Sequence, residues 1–528
     1  MSNDRHDNRI ALGVDVGTST CQAYIFVSGT RRMLWVEGSA AQQEYYPSAI
    51  LERSDGGRLY GFEALVAAQQ FKGATLHHTF KAFMKADPPL ERAYEIEEAA
   101  VLFQDMAAHF LTRLMPEIKR MSARLMGTTR LDVSFTLPGG WAQDPTLTRT
   151  YHQVIFDLER MLRNQLSTNN IEVFAYLVEE PVAALLGIES MFLDVPEGEP
   201  TLVIDAGGGT LDAAVCIAKR DEGEGLMHYT IPFSSSIGVA GESLFEEFVK
   251  ILSKSNAFDH KLPRMWRRDA KLRDGLKRIF REYSLVPMET FSREISADDT
   301  RTPRVTVTFS PTDIDAKLLK GPRFKQIQRF TGRLLKAYNK VTGEKREAWG
   351  ASYLVGGLGR YKLFKQAIMD NLPDCQTVPN PQEIIAIGAV NHAERGGLQI
   401  RERACPYHLG QQVQDLAAGK LVWDILVKQG ELISTVGDKT FLGDTHVQQS
   451  GTGFKATFGW TGSEELDDTV MLIFEDSVRF ETYYNNPVPL HAGDALQTRV
   501  RFDNKLRLEI DIVHVRTGLV WSTSGLRW

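Results

Sequence analysis

Two segments 190 residues apart carry the same short pattern, and this repeat restricts the folds open to the chain more than any other feature. Residues 12–26 read LGVDVGTSTCQAYIF and residues 202–216 read LVIDAGGGTLDAAVC. Leu12 aligns with Leu202, Asp15 with Asp205, Gly17 with Gly207, Thr20 with Thr210 and Ala23 with Ala213, all at one offset. Each copy is an apolar strand, a tight glycine-rich turn and a second apolar strand, which is the pattern of a β-hairpin. Asp and Gly are ordinary turn residues, so a single copy implies no more than a hairpin. Two copies at a fixed offset, the second with Gly207, Gly208 and Gly209 in a row, point to chemistry that uses both.

Glycine lets a backbone approach a ligand closely, and successive N–H groups in a turn make an anion-binding concavity. A carboxylate beside that concavity repels phosphate unless Mg²⁺ lies between them, often through water. Two such hairpins facing each other clamp a polyphosphate–metal complex between the halves of a duplicated domain. The chain has no G-x-x-x-x-G-K-[ST] loop and no strand–GxGxxG–helix unit, so Walker-type and Rossmann sites are not expected.

At 528 residues the chain exceeds what one core supports, and about three domains are expected. A hydrophobic content of 43% with 24% charged residues argues for a folded chain. The net charge of −6 offers no broad attraction to nucleic acid or an anionic membrane, and neither is expected as a partner. Local basic clusters at residues 264–268 and 278–281 read as solvated helix faces. Cys21, Cys216, Cys375 and Cys405 show no C-x-x-C pair and no ligand-like spacing with His, so a zinc site or disulfide framework is not expected and a reducing cytoplasm fits. The N-terminal MSNDRHDNR is a polar tail, and the apolar stretch after it is interrupted by Asp15 and too short for a signal peptide. No run reaches the roughly 18 apolar residues that span a bilayer. A soluble, cytoplasmic protein is the expectation.

The ordered motifs resemble the actin, sugar-kinase and DnaK superfamily, and several single out the heat shock protein 70 (DnaK-type) branch. Residues 10–20 and 203–212 look like its two phosphate motifs. VSFTLPGGW at 133–141, LVEEPVAALLG at 177–187 and SSIGVAGESLFEEF at 235–248 resemble its V-P-x-x-[FW], N-E-P-x-A-A and L-G-G-E-x-F-D segments. YLVGGLGRYKLFKQAI at 353–368 resembles the adenosine motif, and PNPQEIIAIGAV at 379–390 resembles N-P-D-E-A-V-A-x-G-A. The resemblance covers residues 10–395. It implies an α/β fold with a duplicated, ribonuclease H-like, actin-like ATPase domain: a first lobe at 10–200 and a second at 201–395 around a nucleotide cleft. A polar tail at 1–9 precedes them, and a linker at 396–404 leads to a smaller all-β sandwich at 405–528.

Roles follow from the resemblance. ATP or ADP and Mg²⁺ are the implied ligands. Lys81, in LHHTFKAFM, takes the place of the catalytic lysine; Glu180 and Asp205 orient water and metal, and Thr210 touches the γ-phosphate. Asp15, Asp205 and Asp212 are the implied metal carboxylates. Gly17, Thr18, Ser19, Gly207, Gly208, Gly209 and Gly241 surround the phosphates. Gly356, Gly357, Gly359 and Arg360 underlie the nucleoside, and Asp274, Lys277 and Arg278 of the helix at 269–282 approach the base from the other side. Departures are also present: Leu358 replaces a small hydroxyl residue, Glu179 replaces Asn, Gln382 replaces Asp and Ala82 follows the lysine. They bear on hydrolysis rate and exchange-factor recognition more than on nucleotide binding. Residues 284–350 do not align.

After His392 the family's short apolar linker is missing, and Gly396-Gly397 followed by charges reads as a flexible connection. Residues 401–528 carry short alternating runs between Gly, Pro and Asn turns, an antiparallel sandwich signature. ACPYHLGQQV and RFDNKLRLEIDIVHVRTG resemble the opening and closing of the family's peptide-binding sandwich, and with the chain ending at Trp528 no helical lid is expected. Trp521 and Trp528 are expected to pack at sheet edges. The leading expectation is an ATPase whose nucleotide state regulates binding of protein or peptide clients or a dedicated partner, with a co-chaperone or exchange factor. The alternatives are a nucleotide-sensing scaffold with little turnover, a sugar-kinase-like phosphotransferase and an actin-like filament former.

Overall fold

The computed structural model describes residues 8–522, apart from 35, 37–44, 69, 72, 85–94, 126–127, 139–144, 192–194, 221–226, 256, 260–265, 267–269, 286–289, 297–303, 398–399, 406–407, 416–419, 429–430, 435–438, 447–450, 462–477 and 503–507. Gly139, Gly140, Trp141 and Trp528, named above, lie outside the described residues, as do most of 264–268. The fold is mixed α/β, with ten α-helices among the described residues and several mixed or antiparallel sheets.

Both repeats form the hairpins their alternation calls for. Arg9–Val16 pairs antiparallel with Thr20–Val27, placing Asp15 opposite Gln22. Pro200–Ala206 pairs antiparallel with Leu211–Arg220, placing Asp205 opposite Asp212. The first strand of each hairpin then takes a parallel neighbour, Thr129–Leu137 for the first copy and Ala351–Val355 for the second. These central strands are buried on both faces, which is why they read as near-continuous apolar runs. The first sheet runs Thr30–Met33, Thr20–Val27, Arg9–Val16, Thr129–Leu137, Ile171–Glu179, with Tyr46–Pro47 beside its second strand. Helix Ile96–Ser122 covers this sheet with Leu102, Phe103, Met106, Phe110 and Leu114, spaced by three and four residues. Each large apolar side chain buried there contributes about 1.5–3 kcal/mol.

Helix Glu180–Ser190 follows the first sheet's last strand, yet its Val182, Leu185 and Leu186 belong to the core of the second sheet, with Val203, Ala214 and Tyr353. Helix Ile384–Glu394 makes the reciprocal crossing, placing Ala386, Val390 and Ala393 against Ala11 and Tyr24 of the first sheet. The two helices touch where Gly388 has no side chain, since a Cβ there would lie 1.5 Å from the Ala183 carbonyl oxygen. The two halves are therefore joined through their crossing helices as well as along the chain.

The region that did not align, 284–350, contains the hairpin Phe291–Ser296/Arg304–Phe309 and helices Pro311–Lys320 and Pro322–Thr342. The expected flexible connection at 396–404 needs correction. Ile400–Ala404 is a strand, parallel to Met227–Ile237 and antiparallel to Leu432–Ser434, so the second sheet runs on into the C-terminal third. Its backbone groups pair on both edges, which a freely moving linker does not offer. Beyond it lie two four-stranded antiparallel sheets. Leu409, Phe458, Val500, Ile510, Ile512 and Trp521 pack between them, with Trp521 on the edge strand Val520–Ser522. The four cysteines are buried and none forms a disulfide. No described helix is long and apolar enough to cross a membrane.

Candidate functional site

The turns of the two hairpins meet. Each is closed by the same backbone bond, Gly17 N–H to Thr20 O at 2.9 Å and Gly207 N–H to Thr210 O at 3.1 Å. A Cβ on Gly208 would sit 2.8 Å from Ser19 Oγ, and one on Gly209 would sit 2.8 Å from Thr18 Oγ1. A larger residue at these positions must displace those hydroxyls. Helix Gly241–Lys254 starts directly behind, and Gly241 and Glu242 donate their N–H groups to the carbonyls of Gly207 and Gly208. Those two amides are thus committed to holding the turn.

Beside the turns is a buried charge cluster. Lys81 lies in the short turn Phe80–Met84, entered through Thr79 at φ 59, and is 3% exposed. Its Nζ donates to the Val16 carbonyl at 2.6 Å and to Glu180 Oε1 at 2.8 Å. Burial opposes its charge, but Glu180, Asp15 and Asp205 outweigh burial and raise its pKa. Glu180 opens its helix with Pro181 next to it, and burial, against the pull of Lys81, pushes its carboxyl up to about 7. Asp205 is raised well above the usual carboxylate range by burial and by Glu180, Asp212 and Asp15. Burial also raises Asp15, with Lys81 and a 2.8 Å hydrogen bond from Thr136 Oγ1 opposing it.

Four carboxylates around one ammonium leave a surplus of buried negative charge, which is costly without a cation. Oxygens of Glu180, Asp205 and Asp212 lie within 4.8 Å of one another. Asp205 Oδ1 is buried and has no hydrogen-bond partner among the described residues. A hard, oxygen-seeking divalent ion suits this donor set. The grouping differs from the expected Asp15, Asp205 and Asp212. Glu180 takes the third corner, because its helix points it at the second hairpin, while Asp15 is turned to Thr136. Thr210, expected to face phosphate, donates its hydroxyl to Asp212.

A cavity of 390 Å³ extends from this cluster between the two halves. Its wall includes Gly17, Thr18, Ser19, Gly207, Gly208, Gly209, Thr210 and Gly241, and it reaches Gly356, Gly357 and Arg360 at the far end. Gly356 has φ 83, and a Cβ there would strike Asp205 Oδ1 at 2.4 Å, so the far turn and the acidic cluster are in contact. Gly359 is behind this turn and off the wall, with Leu354 beneath it; Leu358 and Tyr361 line the space instead.

Helix Ala270–Leu285 requires the largest correction. Asp274 and Arg278 are on its exposed side, off the cavity, and Arg278 faces Glu282 at 3.9 Å. The wall is formed by Lys277, Phe280, Arg281 and Ser284, a register about one turn further along, so Arg281 belongs to the cavity mouth rather than to a solvated basic face. The three-to-four-residue spacing of these positions is the signal that fits a single helix face. Lys277 also pairs with buried Glu242, which Arg273 holds from the other side at 3.0 Å. Burial raises the Glu242 carboxyl, but the two cations outweigh it and lower its pKa.

Two amides on the wall, Gln22, which the motif reading passed over, and Gln382, which it named only as a departure, each have a buried Oε1 that lacks a hydrogen-bond partner among the described residues. Gln22 was legible as the residue aligned with Asp212 in the repeat. Phe245 and Phe280 add an aromatic surface near the far end, which no motif spacing marked. No protein-family model matches the chain.

Proposed function

We propose that the chain is an ATP-binding protein of the actin-like ATPase superfamily, on the plan of a DnaK-type chaperone, whose nucleotide state governs what its C-terminal sandwich binds. The observation that carries this reading is the pair of hairpins in identical register, turn to turn, with Lys81 and four carboxylates buried beside them. The crossing helices support the idea of a duplicated domain whose halves rotate about a shared hinge. The cavity supports a ligand with an anionic end at the glycine turns and an apolar end beside Phe245, Phe280 and Tyr361.

Glu180, Asp205 and Asp212 are the groups to hold Mg²⁺, which when bound neutralises the polyphosphate and polarises the transferred phosphoryl group. The chain's own groups account for the rest. The turns at 17–20 and 207–210 position phosphate oxygens through backbone N–H groups. Lys81 offsets negative charge that develops in phosphoryl transfer. Glu180, held by Lys81 at 2.8 Å, is placed to orient the attacking water beside the cation. The strand Ile400–Ala404, shared with Leu432–Ser434, is the route by which the second half carries the sandwich with it, in place of the family's usual linker. Protein or peptide clients, or one dedicated partner, are the ligands this arrangement suits, in the cytoplasm where buried thiols stay reduced.

A nucleotide-sensing scaffold with little turnover is the second reading, and one observation favours it: the Thr210 hydroxyl is occupied by Asp212. The test is ATP binding and single-turnover hydrolysis with Mg²⁺ on the wild type, Lys81→Ala and Asp205→Asn. Tight binding with slow hydrolysis that Lys81→Ala abolishes supports the ATPase. Binding without turnover moves the scaffold into first place. Absence of binding by a folded wild type rejects both.

A further inference from the structure

Helix Pro322–Thr342 carries Arg323, Lys325, Arg329, Arg333, Lys336 and Lys340 and no acidic residue at all, in a chain whose formal net charge is −6. Its apolar side is fully used: Phe324, Ile327, Thr331, Leu334 and Tyr338 are buried, most of them in the core of the second half. On the opposite side Lys325, Arg329, Arg333, Lys336 and Lys340 are all exposed. At 100° per residue these five fall within an arc of about 80°, and between positions 325 and 340 every residue within that arc is one of them. They extend over about 22 Å of helix, so the surface is a narrow, straight, positive stripe. Lys325, Arg329, Arg333 and Lys336 have no ion pair among the described residues.

A merely solvated helix face mixes both signs, because Glu and Lys four apart stabilise a helix while like charges at that spacing oppose it by about 0.2–0.5 kcal/mol per pair. Here three successive pairs, 325/329, 329/333 and 336/340, are of like sign. The repulsion is tolerated because the buried side anchors the helix, and it is relieved when anions cover the stripe.

The shape of the stripe selects among anionic partners. A bilayer surface is best held when apolar side chains enter it, and the large apolar residues of this helix face the core. A nucleic acid extends far past 22 Å and meets the net negative remainder of the molecule, and the stripe itself has no aromatic ring for base stacking. An acidic protein segment covers only the stripe, and beyond a Debye length of about 8 Å the rest of the surface is screened from it. We propose that the exposed face of helix Pro322–Thr342 is a docking surface for an acidic helical segment of a partner protein, with carboxylates repeating at three- and four-residue spacing. This surface does not depend on nucleotide chemistry, so it stands or falls separately from the proposed ATPase.

The test measures fluorescence anisotropy of a labelled helical peptide with glutamates at three- and four-residue spacing, titrated with the full chain across a salt series. Controls are a peptide of the same composition with its glutamates spread around the helix, vesicles containing phosphatidylserine, and a DNA duplex. The aligned peptide is expected to bind more tightly than all three, and R329E/R333E/K336E is expected to weaken it by about tenfold or more. Because those side chains are exposed, the triple variant should keep the wild-type melting temperature and ATP affinity. Equal binding of aligned and spread peptides reduces the stripe to a nonspecific polyelectrolyte and overturns the proposal. Tighter binding of vesicles or duplex, or indifference to the triple reversal in a folded variant, also overturns it.

Discussion

The two hairpins share backbone, register and turn closure, and they differ in what stands opposite the aspartate. In the first, Asp15 faces Gln22 and receives a hydrogen bond from Thr136. In the second, Asp205 faces Asp212, and one Asp205 oxygen has no hydrogen-bond partner among the described residues. Gln22 and Asp212 occupy equivalent places, yet one is neutral and the other an acid. The fold repeats symmetrically while the charge does not. The difference teaches that a duplicated scaffold can assign phosphate positioning to both copies and cation binding to one.

The strongest way to break that comparison is to neutralise each aspartate separately. Asp205→Asn is expected to reduce Mg²⁺-dependent single-turnover hydrolysis by about 100-fold or more, whereas Asp15→Asn costs about tenfold. Equal losses mean that the cation is shared by both hairpins. The contact between the turns is probed by Gly209→Ala, whose methyl must displace Thr18 Oγ1 or Ala82. A fall in ATP affinity of about tenfold is expected by calorimetry, with kcat per bound nucleotide less affected. No fall means that the turns separate before nucleotide enters.

Making the copies alike is gentler. Gln22→Asp adds a fifth buried carboxylate and should lower unfolding free energy by about 1–3 kcal/mol without metal, with recovery in Mg²⁺, as read by urea denaturation. The metal-free protein should also respond to pH. The Glu180 carboxyl is raised from 4.5 to about 7 in the folded state, so its contribution is present below 4.5 and is lost as pH rises toward 7. Buried His78 and His392, which burial holds below the usual imidazole range, contribute the opposite slope, so the Glu180 contribution is read as the difference between two proteins. The wild type should lose stability relative to Glu180→Gln as pH rises through that window, and a difference that does not change with pH refutes the assigned burial. The smallest effect is expected away from the hairpins. Asp274→Asn and Arg278→Ala should leave ATP affinity within about twofold, while Arg281→Ala lowers it, because only Arg281 reaches the cavity.

Much of this was legible along the chain. The repeat at one offset identified both hairpins, and alternation identified the strands of the last third, because strand period and turn chemistry are local properties. Helix Ala270–Leu285 was expected close to its true bounds, but the face it shows to the cavity was misread by a turn. Rotation of a helix about its axis is decided by what it packs on, here Phe245, Phe248 and Ile295, rather than by any motif within it. Residues 400–404 read as a connection because their neighbours in the sheet come from 227–237 and 432–434, distant in sequence.

By itself the sequence determined the twin hairpins, their glycine turns and their aspartates, all of which depend on residues within a few positions of one another. Only the tertiary structure decided that Glu180 joins Asp205 and Asp212, that Lys81 is neutralised from three directions, and that Gly388 lets the halves cross. Charge surplus, burial and close approach are sums over residues brought together from distant parts of the chain, and such sums exist only once the chain has folded.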